Sequence, residues 1–268
     1  MKLATWNVNS LGVRLPHLLA WLSAHPVDAL VLQETKLTDD KFPQAELAQA
    51  GWQAVWFGQK TYNGVALLVP ASQAAPCEVV RNIPGFEDEQ ARVIAATLPR
   101  TGPGASGSSD TRVIGAYFPN GQAPGSDKFA YKMRWLQALH AWVRQELERH
   151  PRLVLMGDFN IAPEDRDVHD PVAWAGQIHC TDEERAHFQG LLSLGLHDAF
   201  RLFEQAPKSW TWWDYRNLAF RKNQGLRIDH ILVSAALRPM VEACHIDKEP
   251  RKAERPSDHA PVVLTLSA

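Results

Sequence analysis

The sequence has few cysteines and no long apolar run, and each of these absences excludes a class of protein. Its three cysteines, Cys77, Cys180 and Cys244, are far apart and odd in number, so no cysteine spacing suggests a zinc site or a redox motif. We interpret them as buried or incidental thiols of a reducing compartment. No stretch approaches the roughly 20 apolar residues that a membrane-spanning helix needs. The first residues also lack the apolar run of a signal peptide, so we expect a cytoplasmic protein that does not contact a membrane.

An excess of charge of one sign is missing too. The chain has 28 Lys and Arg against 30 Asp and Glu, which gives a formal net charge of −2 at pH 7. This balance argues against a protein that coats nucleic acid without specificity. It is compatible with an enzyme, because acidic metal ligands offset the basic residues that contact phosphates. Residues 208–230 have a local excess of positive charge, with five Lys or Arg against two Asp.

Apolar residues are abundant, and their pattern predicts an α/β fold. Hydrophobic residues make up 45% of the chain, with 10 Trp, which excludes a disordered protein. Short apolar runs predict strands, and segments with apolar residues every three or four positions predict helices. The predicted strands are 3–7, 29–33, 65–69, 93–98, 113–117, 153–157, 227–233 and 261–265, and the predicted helices are 15–25, 128–149 and about 182–194.

The third predicted helix has signals at both ends. Thr181 and Glu184 match a capping box at its start, and Gly195 stands where a C-terminal cap is expected. The Gly- and Ser-rich stretch 101–110 predicts a surface loop between two strands rather than a domain linker. No other stretch resembles a boundary, and no repeat is evident. We therefore predict a single domain over residues 1–268, with helices outside sheet layers.

Polar residues stand at the ends of several predicted strands. Asp158 and Asn160 follow a run that reads as buried, and an unpaired buried carboxylate is costly unless it has a partner or a chemical role. Strand ends in layered α/β folds converge on one crevice. We therefore predict one site formed by the polar residues that follow or precede the strands, which are Asn7, Glu34, Asp158, Asn160, Asp229, Asp258 and His259.

Some of these residues also have simpler interpretations. Glu34 can cap a loop, Asp229 can pair with Arg227, and His259 can be a hydrogen-bonded histidine of the core. If Asp229 instead meets His259 in space, it orients the imidazole and favours its charged form. An imidazolium beside a phosphate stabilises negative charge that develops there.

The oxygen-bearing side chains in this set favour one kind of metal. Carboxylate and amide oxygens at Glu34, Asp258 and Asn7 suit Mg²⁺ or Mn²⁺, which bind a few carboxylates together with water and phosphate oxygens. No Cys or His spacing along the chain fits a zinc site. The sequence therefore predicts a site for Mg²⁺ (or Mn²⁺) rather than for zinc.

Seven short blocks occur in one order along nearly the whole chain. They are TWNVNS at 5–10, LQETK at 32–36, YFPNG at 117–121, GDFN at 157–160, WWDYR at 212–216, GLRIDH at 225–230 and PSDHAP at 256–261. In this order they resemble the exonuclease III and class II apurinic/apyrimidinic (AP) endonuclease family, within the endonuclease/exonuclease/phosphatase superfamily. Each block is moderately specific alone, and the shared order makes the resemblance strong.

The resemblance implies both a fold and a reaction. The fold is a four-layered α/β sandwich, in which two packed mixed β-sheets are flanked by helices. The reaction is metal-dependent hydrolysis of the DNA phosphodiester 5′ to an abasic site, which leaves a 3′-hydroxyl. The family also has 3′→5′ exonuclease and 3′-phosphodiesterase activities. The expected substrate is double-stranded DNA that contains abasic sites or 3′ ends, and we expect a monomer.

The resemblance also implies roles for the residues at the strand ends. Glu34 would bind the metal ion, with Asn7 and Asp258 close by. Asp158 would orient or deprotonate the attacking water, helped by Asn160. An Asp with an ordinary pKa near 4 is a poor base at pH 7, so alignment of the water remains the alternative to deprotonation.

Two further roles concern the phosphate. His259, held by Asp229, would contact the scissile phosphate. Tyr117 would donate a hydrogen bond to that phosphate or stabilise the leaving group. Residues for DNA contact come from the aromatic and basic blocks. Trp212, with or without Trp210, would line a pocket for the base-free sugar. Trp213 would pack in the core. The residues that we expect to bind DNA are Trp212, Asp214, Arg216, Asn120, Lys222 and Arg227.

Other functions compete with this interpretation. The chain can be predominantly a 3′→5′ DNA exonuclease of the same family, or a phosphatase or phosphodiesterase for small phosphorylated substrates. The WWDYR block and its basic neighbours argue against the latter. A DNA-binding relative without catalysis is a third alternative, and the intact Glu34, Asp158 and His259 argue against it. A core strand packed with Trp is the simpler interpretation of residues 209–216.

Overall fold

Two six-stranded sheets form the centre of the computed structural model, which describes residues 1–100 and 110–267. The strands are β1 (Lys2–Asn7), β2 (Ala29–Gln33), β3 (Trp52–Phe57), β4 (Val65–Pro70), β5 (Cys77–Arg81), β6 (Val93–Leu98), β7 (Thr111–Tyr117), β8 (Leu153–Asp158), β9 (Leu196–Asp198), β10 (Asp229–Ser234), β11 (Val241–Ile246) and β12 (Val262–Leu266). The helices are α1 (Leu11–Ala24), α2 (Gln44–Gln49), α3 (Asp127–Arg149), α4 (Pro171–Trp174) and α5 (Asp182–Ser193).

Both sheets are mixed, as the resemblance implies. The first has the order β11-β12-β1-β2-β4-β3 and the second the order β5-β6-β7-β8-β10-β9. The pairs β1–β2 and β7–β8 are parallel, and the other pairs are antiparallel. The predicted class, two packed mixed sheets flanked by helices, is confirmed.

Three apolar clusters separate four layers. Side chains alternate between the two faces of a strand, so Leu3 of β1 lies between the sheets, whereas Ala4 and Trp6 lie on the outer face against α1. On the outer face of the second sheet, the side chains of α3 and α5 form the third cluster, with Trp135 and Phe188 among its members. Burial of apolar surface on both faces of each sheet stabilises the sandwich.

The predicted elements agree with the structure except at some boundaries. The capping box of α5 is present, because Thr181 accepts from the Glu184 amide and Glu184 accepts from the Thr181 amide, and Gly195 follows with φ 95°. Helix α1 begins four residues earlier than predicted, at Leu11, whose side chain is fully buried, and it includes Pro16. The loop predicted over 101–110 lies outside the described residues except for Asp110.

Four strands were not predicted, and all four are edge strands. They are β3, β5, β9 and β11, which terminate the two sheets. Edge strands have one neighbour, and three of these four leave most of their side chains partly exposed, without a buried apolar run. In the described ranges 1–100 and 110–267, no helix has both the length and the apolar character needed to cross a membrane.

Candidate active site

Strand register brings three of the predicted residues side by side on the second sheet. Asp158 at the end of β8 is the partner of Tyr117 on β7 and of Asp229 on β10. The parallel pair β7–β8 ends at this edge of the sheet, and the antiparallel β10 begins there. The register alone therefore places one phenol and two carboxylates on neighbouring strands.

Asn7 connects this edge to the first sheet. Its amide nitrogen donates to Oε1 of Glu34 at 2.8 Å and to Oδ2 of Asp158 at 2.9 Å. Its amide oxygen accepts from the backbone N–H of Asn9 at 2.9 Å. Asn7 thus contacts both carboxylates through its nitrogen, as a donor, while its role as a metal ligand stays a prediction.

Glu34 and Asn160 both lie just past a strand end with left-handed backbone. Their φ angles are 52° and 51°, a region that costs a residue with a side chain about 1 kcal/mol or more and that clusters at functional sites. Here the backbone turns each strand away from its sheet as soon as the functional side chain has been placed. The backbone N–H of Asn160 then donates to Oδ1 of Asp158 at 2.9 Å and fixes that carboxylate.

A buried ion pair joins His259 to Asp229. Nδ1 of His259 lies 2.8 Å and 3.1 Å from the two carboxylate oxygens of Asp229, and its Nε2 lies 3.7 Å from Oδ2 of Asp158. Burial opposes the charge on the imidazole, but Asp229 and Asp158 outweigh it and raise the pKa of His259 to about 10. The alternative in which Asp229 pairs with Arg227 is wrong.

The pKa of Asp158 is unusually high for a carboxyl group. Burial raises its pKa to about 7, against the influence of His259 and with further contributions from Asp229 and Glu34. A carboxyl with this pKa can accept a proton near neutral pH far better than an ordinary Asp. Asp158 can therefore act as a base toward the attacking water or can align that water.

The donor set at this edge fits a hard divalent cation. Ligand atoms of Glu34, Asp158 and His259 lie within 4.8 Å of one another, and they are the one group of this kind found within residues 1–100 and 110–267. Asp229 balances the charged His259, so the carboxylates of Glu34 and Asp158 have only the Lys36 ammonium, 3.0 Å from Oε2 of Glu34, to offset their negative charge. Carboxylate oxygens are the preferred ligands of Mg²⁺ and Mn²⁺.

Asp258 stands beside this group rather than within it. One of its oxygens accepts from the Asn9 amide at 2.9 Å and the other from the Trp212 indole at 3.0 Å. Asp258 therefore links the aromatic segment to the first loop, and its role as a metal ligand stays a prediction. The sequence analysis missed Asn9 and Lys36, although both lie inside the TWNVNS and LQETK blocks.

Tyr117 borders a cavity that the sequence did not reveal. Burial, Glu34 and Asp158 raise the pKa of Tyr117 well above its ordinary value, so its hydroxyl remains a donor. The cavity has a volume of about 600 Å³, and Arg92, Lys128 and Asn120 are among its lining residues. The Arg92 guanidinium lies 5.1 Å from the centre of the Tyr117 ring and donates to the Tyr117 carbonyl.

The aromatic segment divides into core residues and one residue at the site. Trp213 is fully buried against Phe220, as predicted, and Trp210 is also buried, with its indole N–H bonded to the Asn223 carbonyl. Trp210 therefore does not line an open pocket. Trp212 is partly exposed and makes an isolated bridge to His259, which keeps it next to the candidate site.

Of the basic residues expected to bind DNA, Arg227 is buried inside the protein. Arg227 is 1% exposed and donates to Asp167 at 2.6 Å and to Asp198 at 2.8 Å. It cannot reach a DNA phosphate, so the predicted contact is wrong. Its backbone N–H donates to the Asp167 carbonyl, which is why the strand begins at Asp229 rather than at residue 227.

The remaining DNA candidates lie at the surface. Arg216 is exposed and forms a paired hydrogen bond with Asp214 through Nε and Nη2, and Lys222 is exposed. Asn120 donates to the side chain of Asn160 at 3.3 Å, so it lies at the edge of the site. Their contacts with DNA stay predictions.

Comparison with known proteins agrees with this geometry. The model of the Endonuclease/Exonuclease/phosphatase family matches residues 4–259. The chain belongs to this family. It is 36% identical to exodeoxyribonuclease III of Haemophilus influenzae over 98% of both chains. Among solved structures, this family member resembles a 3′ phosphatase from Neisseria bound to a product DNA hairpin (49% identity, TM-score 0.93) and an AP endonuclease from Archaeoglobus fulgidus (32% identity, TM-score 0.91), each over 100% of both chains.

Proposed function

We propose that this protein is a divalent-metal-dependent DNA-repair nuclease, which hydrolyses the phosphodiester 5′ to an abasic site in duplex DNA and leaves a 3′-hydroxyl. One observation carries the proposal, namely the group of Glu34, Asp158 and His259 beside the buried Asp229. The exodeoxyribonuclease III of Haemophilus influenzae and the AP endonuclease of Archaeoglobus fulgidus support it by their names and their similarity.

The carboxylates of Glu34 and Asp158 would hold the ion, with Asn7 and Asp258 close by. When bound, Mg²⁺ or Mn²⁺ supplies Lewis-acid polarisation of a phosphate oxygen and neutralises charge. Asp158 aligns the water or accepts its proton, since its carboxylate is fixed by the backbone N–H of Asn160 and its pKa is about 7. The identity of the ion, Mg²⁺ or Mn²⁺, is part of the proposal.

The other residues of the site act on the phosphate and the leaving group. With Nδ1 engaged by Asp229, His259 presents its second nitrogen as a charged donor to phosphate oxygens. The Tyr117 hydroxyl remains protonated and donates a hydrogen bond to the phosphate or the leaving oxygen. Asn120 contributes at the rim of the same site.

DNA would be held by groups on either side of this centre. Trp212 packs against the base-free sugar, whose extrusion costs least where pairing is already absent. Arg216 and Lys222 lie on the exposed loop beside it and bind the phosphate backbone, and Asp214 orients the Arg216 guanidinium. Arg92 and Lys128 line the cavity next to Tyr117, which suits a neighbouring phosphate. We further propose that the enzyme acts as a monomer in the cytoplasm.

A second candidate activity, on 3′ ends, is favoured by one comparison. The Neisseria structures described as a 3′ phosphatase and a 3′–5′ exonuclease share 49% identity with this chain, against 32% for the archaeal AP endonuclease. Removal of a 3′-phosphate or a 3′ nucleotide breaks the same kind of P–O bond. The same residues can therefore serve both substrates, and the balance depends on the walls of the pocket.

One experiment ranks these activities. Three labelled duplexes, with an internal abasic analogue, a recessed 3′-hydroxyl or a recessed 3′-phosphate, are incubated with the protein and Mg²⁺, Mn²⁺ or EDTA. A His259→Gln variant purified in parallel controls for contaminating nuclease. We expect metal-dependent incision at the abasic analogue that the variant lacks. Cleavage confined to the recessed ends would favour the second candidate, and hydrolysis in EDTA equal to that in Mg²⁺ would contradict both.

A further inference from the structure

A buried ion pair lies directly behind the candidate site, outside the residues assigned above. Lys132 of α3 and Glu184 of α5 have side chains that are 0% exposed, and Nζ of Lys132 lies 2.5 Å from Oε1 of Glu184. Burial lowers the pKa of Lys132, and the Glu184 carboxylate acts against this decrease. A buried ion pair is a poor way to stabilise a fold, because the desolvation of both charges offsets their attraction.

All three ammonium hydrogens of Lys132 have acceptors. Besides Glu184, Nζ donates to the carbonyl of Asn160 at 2.8 Å and to the carbonyl of Asn120 at 3.3 Å. Gly121 packs on the stem of Lys132, so closely that a Cβ there would lie 3.0 Å from the lysine Cδ. The ammonium group therefore joins two loops, one after β7 and one after β8.

These two loops begin directly after the reacting side chains of Tyr117 and Asp158, which end β7 and β8. The loop after β7 follows Tyr117 and contains Asn120, and the turn after β8 contains Asn160, whose backbone N–H fixes Asp158. The side chains of Asn120 and Asn160 also bond to each other at 3.3 Å. Any shift of the Asn160 carbonyl would thus change the position of the Asp158 carboxylate and of the Asn120 amide together.

Glu184 is itself held from the other side. Its second oxygen accepts from the Thr181 amide at 3.1 Å and from the Thr181 hydroxyl at 2.8 Å. The capping box at the start of α5 therefore fixes the carboxylate that orients Lys132. The chain of contacts runs from the helix terminus through Glu184 and Lys132 to the two loops.

We propose that Lys132 is a positioning residue, which holds together the two loops that follow Tyr117 and Asp158 and so keeps these side chains at the separation that hydrolysis requires. Glu184 keeps the ammonium group in place. This inference rests on the proposed function for its kinetic consequence, but the contacts themselves can be tested without it. A displacement of about 1 Å in a reacting group is enough to slow an enzyme about 100-fold.

The chain contains a matched control for this ion pair. Arg112 of β7 and Glu146 of α3 form a second buried pair, with side chains 2% and 5% exposed and 2.7 Å between Nε and the carboxylate. It joins α3 to β7 at the end of α3 opposite to Lys132 and at the end of β7 opposite to Tyr117. Removal of the Arg112–Glu146 pair therefore shows the effect of losing a buried ion pair that does not contact the two loops.

The test compares Lys132→Met, the apolar double variant Lys132→Met/Glu184→Leu and Arg112→Met. We measure kcat and KM on the cleaved duplex, the unfolding midpoint, and hydrogen exchange of peptides that span residues 118–122 and 157–162. We expect faster exchange of both peptides in the two Lys132 variants, a kcat at least about 10-fold lower and a KM within about 3-fold of wild type. Arg112→Met should lower the unfolding midpoint, but it should change neither the exchange of the two peptides nor kcat.

The double variant keeps the result interpretable if Lys132→Met folds poorly, because it leaves no unpaired charge. A purely structural role would restore wild-type kcat in this variant together with its stability, which would overturn the inference. Unchanged exchange of the two peptides would overturn it as well. If the wild-type protein does not cleave DNA but exchange still increases as expected, the proposed function has failed while the positioning contact stands.

Discussion

Asp229 and His259, 30 residues apart in sequence, meet as a buried pair in which both oxygens of the carboxylate lie within 3.1 Å of Nδ1 of the imidazole. The pairing fixes the orientation of the ring and leaves only Nε2 free to face the site. It also keeps the imidazole charged, because the neighbouring carboxylates raise its pKa to about 10 despite its burial. A cation at the base of the site near neutral pH follows from this arrangement.

Replacement of Asp229 by Asn should make the reaction sensitive to pH. In the wild type, a pKa of about 10 keeps His259 charged throughout the range from pH 6 to pH 9. Without Asp229, that pKa falls, and the imidazolium is lost as the pH rises through its new value. We expect kcat of Asp229→Asn, divided by kcat of the wild type at the same pH, to decline as the pH rises, because the titration of Asp158 near pH 7 affects both proteins. Asp247→Asn, which removes the partner of the half-exposed His25, should keep the wild-type profile, and a wild-type profile for Asp229→Asn would contradict this role.

Replacement of Glu34 by Gln should weaken metal binding. The variant keeps the size of the side chain and an acceptor for the Asn7 amide, but it removes a negative charge from the group that fits the cation. We expect the affinity for Mn²⁺, measured by calorimetric titration, to fall at least about 10-fold, as when a metal site loses a supporting ligand contact. Glu164→Gln, at an exposed acid paired with Arg166, serves as the control. Equal affinity of Glu34→Gln and wild type would remove Glu34 from the site.

Arg227 should matter for stability and not for DNA affinity. Arg227→Met leaves Asp167 and Asp198 with one cation fewer in a buried network, and breaking a buried pair typically costs about 3–5 kcal/mol. We expect that loss in urea unfolding, with an unchanged salt dependence of DNA binding. Lys222→Ala should do the reverse, with wild-type stability and a salt slope smaller by about 1. A reduced salt slope in a stable Arg227→Met variant would restore the predicted phosphate contact.

His230 should contribute to loss of stability in acid. Burial and the adjacent Arg227 lower its pKa to about 4. Below about pH 6.5, His230 is therefore protonated in the unfolded chain but stays neutral in the folded protein. Between pH 6.5 and 4 its contribution therefore decreases as the pH falls, by up to about 1.4 kcal/mol per pH unit. His230→Gln should remove that part of the slope in urea unfolding measured at several pH values. An identical slope in wild type and variant would mean that His230 is not held neutral.

The inner strands could be predicted from the sequence because they are buried on both faces and form apolar runs. Each of the eight predicted strands is an inner strand of one of the two sheets, whereas β3, β5, β9 and β11 lie at the edges. Edge strands are identified by their partner and not by an apolar pattern. The start of α1 was missed for a related reason, since Leu11 is buried by tertiary contacts and Pro16 obscured the helical pattern.

The site was only partly readable for a different physical reason. Acids at strand ends could be named because the strands themselves could be named, and sheet register then brought Tyr117, Asp158 and Asp229 together. Charged residues away from strand ends gave no such signal. Arg227 reads as a surface cation until Asp167, 60 residues away, is placed beside it. Lys132, on the buried face of α3, similarly needs Glu184 from another helix.

The most direct test of the central claim is single-turnover hydrolysis by Asp158→Asn, measured together with its affinity for the same duplex in Mg²⁺. The substitution keeps the shape of the side chain and removes its negative charge. We expect the rate to fall by about 10²–10⁴-fold, the usual contribution of a positioned acid or base, while DNA affinity changes by less than about 3-fold, or 0.7 kcal/mol. A variant that hydrolyses the duplex at the wild-type rate would contradict the convergence of Glu34, Asp158 and His259 on one catalytic centre.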